Sequence, residues 1–260
     1  MNRVNDVFNI LTELCPVEAA LPEDKVGLIV GDGNAEVTRI LVALDITMAV
    51  IDEAVSIGAD LIVSHHAMPY RPLQRVIAGE VNSDKVIKLI KNGISTISMH
   101  TNLDAAIGGV NDALAEAIGL EDIGPFDNSQ APSIGRIGYV RPELSLEDFL
   151  AKVKKDLNAG GLRYVVGSGR VSKVAVGSGN CSGFWQDAIA CGCDTFLSGD
   201  FKYNALLDAE ESGRINIVDG GHFPTENVIC PKLVSYLKSK LSDIDVMLSS
   251  VHEDPVKFFI

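Results

Sequence analysis

Apolar residues recur along this chain in two alternating rhythms. Val4, Val7, Phe8, Leu11 and Leu14 fall at helical spacing, which predicts an amphipathic opening helix that Cys15-Pro16 ends. A loop is expected from Asp24 to Val30. The run Ile40-Leu41-Val42-Ala43-Leu44 is apolar at every position, the mark of a strand buried on both faces in a parallel sheet. Thr47 then serves as N-cap of a helix through Val55. Leu61-Ile62-Val63 forms the next strand, and Ser83 to Asn92 a helix closed by Gly93. Ile94 to Met99 gives a third strand and Val110 to Ile118 another helix. This order implies parallel pairing with right-handed crossovers.

Residues 121–135 hold Gly124, Pro125, Asn128, Pro132 and Gly135 and read as a loop-rich boundary. The rhythm then resumes. Strands are expected at Gly138 to Val140, Val171 to Val176, Thr195 to Leu197 and Ile215 to Val218. Helices are expected at Leu146 to Leu157, Gly183 to Ala190, Tyr203 to Ser212 and Asn227 to Leu241. The expected fold is α/β, with two similar lobes of mostly parallel sheet facing a central metal-binding cleft. The lobes are 1–125 and 126–260, with the C-terminal tail packing back on the first.

Composition narrows the classes. With 47% hydrophobic residues and a mean hydropathy of +0.20, the 260-residue chain can bury a substantial core. Its formal charge of -13, without a Lys/Arg stripe, argues against nucleic acid and against anionic membranes. A small anionic substrate then needs a local cation, which a metal supplies. The five cysteines are odd in number and lack disulfide or Cys-x-x-Cys spacing, so reduced thiols and a cytoplasmic location are expected. Met1 to Asp6 carries no signal-peptide pattern, and the apolar runs stop short of a membrane span.

Four of the five histidines, His65, His66, His100 and His222, follow apolar strands at their carboxyl ends, where open α/β sheets bind ligands. A single histidine there is ordinarily a hydrogen-bonded loop residue. The adjacent pair His65-His66 is different, because neighbouring strand residues point opposite ways, so both reach one site only where the strand ends or else grip two different ions. Asp104 follows His100, and Glu226 follows His222 in Gly221-His222-Phe223-Pro224-Thr225-Glu226. His65, His66, Asp104, His222 and Glu226 are too many donors for one catalytic zinc. They suit two divalent ions, with iron, zinc or manganese fitting imidazole and carboxylate better than copper(I). Bound water would then lose a proton near neutral pH. His100 is a neighbour of the ligands or a proton carrier. Asp45 is expected to cap a helix, and Asp200 and Lys202 either reach substrate or hold their loop.

The turn Val176-Gly177-Ser178-Gly179-Asn180-Cys181-Ser182-Gly183 links a strand to a helix. Free amides at Gly177 and Gly179 would cradle a phosphate; otherwise the turn is merely tight. It matches neither the dinucleotide nor the Walker pattern.

Four motifs together resemble the NIF-three-like family, the GTP cyclohydrolase 1 type 2 homologues, in the short form without an inserted domain. They are Ser64-His65-His66, His100-Thr101-Asn102-Leu103-Asp104 with Gly108 to Asp112, Ser198-Gly199-Asp200-Phe201-Lys202-Tyr203, and Gly221 to Glu226. The resemblance implies a dinuclear site in which His65 and His222 hold one ion, His66 and Asp104 the other, and Glu226 bridges. It also implies a ring-shaped homohexamer. The chain departs from the family pattern at Glu23-Asp24-Lys25 and at Lys202-Tyr203-Asn204. The expected activity is metal-dependent hydrolysis of a nucleotide-like or phosphorylated small molecule, with Glu226 and His100 catalytic and Gly177, Gly179 and Lys202 binding substrate. The alternative is a non-catalytic iron-handling or metallocofactor-assembly protein.

Overall fold

The computed structural model describes residues 2–129 and 132–259. The chain divides into two units, Met1–Ala106 with Cys230–Glu253 and Ile107–Ile229 with Asp254–Ile260. The division thus falls just before the helix at Val110, not in the loop-rich stretch at 121–135. Of that stretch, residues 130 and 131 lie outside the described residues.

In chain order, the first unit runs β1 (Asn2–Arg3), α1 (Val4–Leu14), β2 (Gly27–Val30), β3 (Glu36–Val37), β4 (Arg39–Ala43), α2 (Met48–Ile57), β5 (Leu61–Ser64), α3 (Val81–Lys91), β6 (Ser95–Ser98) and α4 (Thr101–Ala105). The second unit follows with α5 (Val110–Ala117), β7 (Glu121–Pro125), β8 (Arg136–Ser145), α6 (Leu146–Asp156), β9 (Arg163–Val165), β10 (Arg170–Val176), α7 (Trp185–Ala190), β11 (Thr195–Ser198), α8 (Tyr203–Ser212), β12 (Asn216–Asp219) and α9 (His222–Glu226). Helix α10 (Ile229–Lys240) and strand β13 (Asp245–Leu248) complete the chain, and β13 belongs to the first unit.

The first unit's sheet has the order β13-β4-β5-β6-β2, parallel except for the β6–β2 edge. Strands β4 and β5 are apolar and buried at nearly every position, as central parallel strands are. Leu41, Ala43 and Ile62 pack with Val50, Ile51 and Ala54 of α2 and with Val86 and Leu89 of α3. Thr47 caps α2 by accepting from the Val50 amide, as expected. The second sheet, β7-β8-β10-β11-β12-β9, is parallel at its centre and antiparallel at its flanks. Phe149 and Val153 of α6 pack with Val171, Val174, Leu197 and Val218 in its core.

Register matters more than the number of strands. Ala43 lies abreast of Ser64, and Ser64 abreast of Ser98. The carboxyl ends of β4, β5 and β6 are therefore level, and the loops leaving them share one edge. In the other sheet Val176, Leu197 and Val218 are abreast, with the same result for the loops after β10, β11 and β12.

The differences from the sequence reading fall at the margins. Gly27–Val30, expected within a loop, is an edge strand antiparallel to β6 with a register shift; four residues are too few to show a period. Strands β7 and β8 cross the supposed boundary as an antiparallel pair. The helix expected from Gly183 begins as a 3-10 turn at Ser182–Phe184. His222–Glu226 forms its own short helix ahead of α10. No helix among the described residues is long and apolar enough to cross a membrane.

Candidate metal centre

In the first unit, β5 ends at Ser64 and the chain bends at once. The Ser64 hydroxyl donates to the His66 carbonyl, and the His66 amide donates to the Leu44 carbonyl. The bend removes the alternation that would send adjacent side chains apart, so the two imidazoles lie together with ring centroids 4.9 Å apart. His100, just past β6, brings a third ring to 5.1 Å from His65 and 5.5 Å from His66. Ligand-capable atoms of these three side chains all lie within 4.8 Å of one another. Asp104 on α4 is buried, and its Oδ1 stands 3.6 Å from His65 Nε2.

Each ring is held by its far nitrogen. His65 Nδ1 bonds the Met99 carbonyl at 2.8 Å, His66 Nδ1 bonds Asp45 Oδ1 at 2.7 Å, and His100 Nδ1 bonds Asp24 Oδ1 at 2.8 Å. A carbonyl or carboxylate can only accept, so Nδ1 carries a proton in each ring. Nε2 is left with the lone pair that a cation binds, and such outer partners orient metal-ligating histidines generally. Asp45 also accepts from His252 Nε2 at 3.2 Å. Asp24 accepts in addition from the Thr101 amide at 3.0 Å and from the Thr101 hydroxyl. Burial alone would raise the pKa of both carboxyls, but the hydrogen bonds from these histidines and Thr101 more than offset it. Both carboxyls are held well below the usual carboxylate range.

The second unit carries its own group of candidate ligands. Asp219 ends β12 and shapes the turn that follows, accepting from the Gly221 amide at 3.1 Å and the Phe201 amide at 3.3 Å. Gly221, at φ +80°, then admits the left-handed turn into α9. His222 Nδ1 bonds Asp200 Oδ2 at 2.6 Å, and its Nε2 lies 3.1 Å from Glu226 Oε2, one helical turn on. Glu226 is buried. Burial opposes a charge on His222, but Glu226 and Asp200 prevail and push its pKa up to about 9. A proton there occupies the position suited to a cation.

The glycine turn after β10 has a different purpose from the phosphate cradle expected of it. The Gly177 amide donates to the Leu197 carbonyl at 2.9 Å, the Ser178 amide to Asn111 Oδ1 at 2.8 Å and the Gly179 amide to Thr225 Oγ1 at 3.0 Å. These donors are committed within the protein. The glycine at 179 instead leaves room. A Cβ there would lie 1.9 Å from Glu226 Oε1 and 3.2 Å from His222 Nε2. Lys202, also expected to bind substrate, is exposed at the N-cap of α8.

Other assignments also change. The carboxylate of Asp104 stands beside His65, where the resemblance paired it with His66. Thr47, not Asp45, caps α2, and Asp45 bridges His66 and His252. Asp200 orients His222. Asp45 and Asp200 stand just past strand ends, so the signal that marked the histidines marks them too. Asp24 sits in a loop and His252 in the C-terminal segment, without any periodic signal.

The residues fit divalent metal. Within the two units the donors are imidazole Nε2 atoms and buried carboxylates, a borderline-to-hard set, while Cys15, Cys181, Cys193 and Cys230 are buried elsewhere. Gly179 keeps side-chain bulk away from His222 and Glu226. The profile of the family described as Duf34/NIF3 (NGG1p interacting factor 3) matches residues 2–255. A Clostridium perfringens relative named "GTP cyclohydrolase 1 type 2 homolog" is 35% identical over 263 residues, spanning 98% of this chain and 99% of the relative. A Clostridium acetobutylicum relative of the same name is 32% identical over 98% of both chains. Among solved structures, Staphylococcus aureus protein SA1388 superposes with a TM-score of 0.91 at 28% identity over 99% of both chains. Reduced HcgD from Methanocaldococcus jannaschii gives 0.81 at 30% identity, over 96% of this chain and 98% of its own. With the profile running almost from end to end, the chain belongs to the Duf34/NIF3 family.

Proposed function

We propose that this protein holds two divalent metal ions through His65, His66, Asp104, His222 and Glu226 and uses them to hydrolyse a nucleotide-like or phosphorylated small molecule. The observation that carries the reading is the common anchoring of His65, His66, His100 and His222. Every one has Nδ1 fixed by a carbonyl or carboxylate, leaving Nε2 as the ligand nitrogen. Within this reading His65 and Asp104 would hold one ion together, and buried Glu226 would add a further carboxylate to the ligand set. Two divalent ions would supply Lewis acidity and an acidified water. His100, held by Asp24, carries protons at Nε2 to and from the substrate. The printed name of the Clostridium relatives supports a nucleotide-like substrate.

Protein purified without chelator should contain about two divalent ions per chain by elemental analysis. It should turn over at least one member of a nucleotide panel in the presence of iron, zinc or manganese, and Glu226→Gln should lose that turnover. Metal present with no product under any combination would point to metal handling, the alternative reading of the same ligand set. Absence of metal would remove both readings. We further propose a cytoplasmic homohexamer, which light scattering tests by mass.

A further inference from the structure

Beside the imidazole cluster the first unit has a cavity of about 340 Å³, lined by Glu23, Asp24, Lys25, Tyr70, Arg71 and His100 among others. From its lining we infer that it binds the substrate, and that the substrate is a single small planar ring compound carrying one anionic group. The inference deepens the hydrolase reading and rests on it for the reacting end.

The volume lies at the lower end for small-molecule sites, which run from roughly 300 to 1,000 Å³. It therefore suits one compact metabolite. His100 is part of its lining, and that ring also stands 5.1 Å from His65. A ligand seated here therefore meets the ring that adjoins the metal-binding imidazoles. Tyr70 stands edge-on to His100, centroids 6.2 Å apart at 78°, yet is 59% exposed. An aromatic face left to water beside a histidine offers a flat ring a stacking surface. Arg71 makes no hydrogen bond or ion pair among the described residues. Lys25 Nζ is tied only to a neutral acceptor, the Glu23 carbonyl, at 2.6 Å. Asp24 does not offset these cations outward, because its carboxylate is taken up by His100 and Thr101. Glu23 is the remaining acid in the lining. A guanidinium with a full fork of donors pairs readily with phosphate or carboxylate. Pro69 and Pro72 flank Tyr70-Arg71 and limit the freedom of that segment.

The test is calorimetric titration of the full chain with four probes. Guanosine 5′-monophosphate and nicotinate carry ring and anion, guanosine carries the ring alone, and ribose 5-phosphate the anion alone. At least one ring-plus-anion probe should bind at least tenfold more tightly than either single-feature probe. Binding of the monophosphate alone identifies phosphate as the anion, and of nicotinate alone carboxylate; both outcomes support the inference. Arg71→Gln should weaken the ring-plus-anion probes by about 10- to 100-fold and leave guanosine unchanged. Tyr70→Ala should weaken every ring probe and leave ribose 5-phosphate unchanged. Both side chains are exposed, so both variants should fold and keep wild-type metal content. Wild-type protein that contains metal but binds none of the probes overturns this inference and leaves the metal reading standing. Probe binding by protein that holds no metal does the reverse. Unchanged affinity of Arg71→Gln for the ring-plus-anion probes also overturns it.

Discussion

Gly179→Ala is the sharpest test of the metal ligands proposed in the second unit. The new Cβ would stand 1.9 Å from Glu226 Oε1 and 2.8 Å from its Cδ. To restore normal contact the carboxylate must retreat by roughly 1.5 Å. It cannot swing into solvent, because Glu226 is 4% exposed at the end of a helix that Thr225 ties to this same turn. The change also places an alanine at φ +55°, which costs about 1–2 kcal/mol in the left-handed region. For a chain of this size that lowers Tm by about 2–8 °C. Gly213→Ala is the control. It meets the same backbone penalty at φ +59° with nothing within 4 Å. Both variants should therefore lose similar thermal stability in calorimetry. Only Gly179→Ala should lose metal affinity, by about 10- to 100-fold as when a ligand's orientation is disturbed. Competition with a chromogenic chelator for zinc or manganese measures it. Equal affinity in the two variants would refute the reasoning, whatever their Tm.

Asp45→Asn should weaken metal retention by about tenfold or more, since His66 and His252 bond different oxygens of the carboxylate and an amide puts an NH2 donor in place of one of them; chelator competition checks this. Glu53 accepts from the Ser249 and Ser250 hydroxyls and the Ser250 amide. Burial opposes but these bonds prevail, so its carboxyl is held below its ordinary value of 4.5. Its stabilisation is present above that value and is lost as pH falls through the lower folded value. Glu53→Gln should reduce the acid-side stability slope and speed hydrogen exchange at 249–253, and an unchanged slope would contradict it. Arg136 and Asp112 form a two-bond pair at 2.9 and 2.7 Å with both side chains at most 15% exposed. Asp112→Ala removes both of these bonds from a buried guanidinium and should cost about 1.5–3 kcal/mol in urea unfolding.

How the sequence and the fold divide the explanation can be followed residue by residue. Continuous apolar runs such as Ile40-Leu41-Val42 and Leu61-Ile62-Val63 announce buried parallel strands without help, because nothing else requires hydrophobic side chains on both faces. Helix α8 was legible to its last residue, since Gly213 stops it in the left-handed conformation. The histidines were legible as candidates because polar, ligand-bearing residues after such runs have few structural reasons to stand there. Strands β2, β9 and β13 were not legible, being three or four residues of unremarkable pattern whose existence depends on a neighbouring edge.

What only the tertiary structure decided is the orientation of the candidate ligands. The sequence determined that imidazoles and carboxylates leave the carboxyl ends of strands. Register then set those ends level, Ala43 with Ser64 and Ser64 with Ser98. Partners remote along the chain, His100 with Asp24 and His66 with Asp45, fixed which ring nitrogen faces outward. The purpose of Gly179 was equally invisible, since a glycine reads as a flexible turn until the glutamate 47 positions later is found filling its missing side chain's space. Local pattern is written in nearest-neighbour chemistry, whereas tautomer, spacing and room at a site are properties of atoms that meet only after the chain has closed on itself.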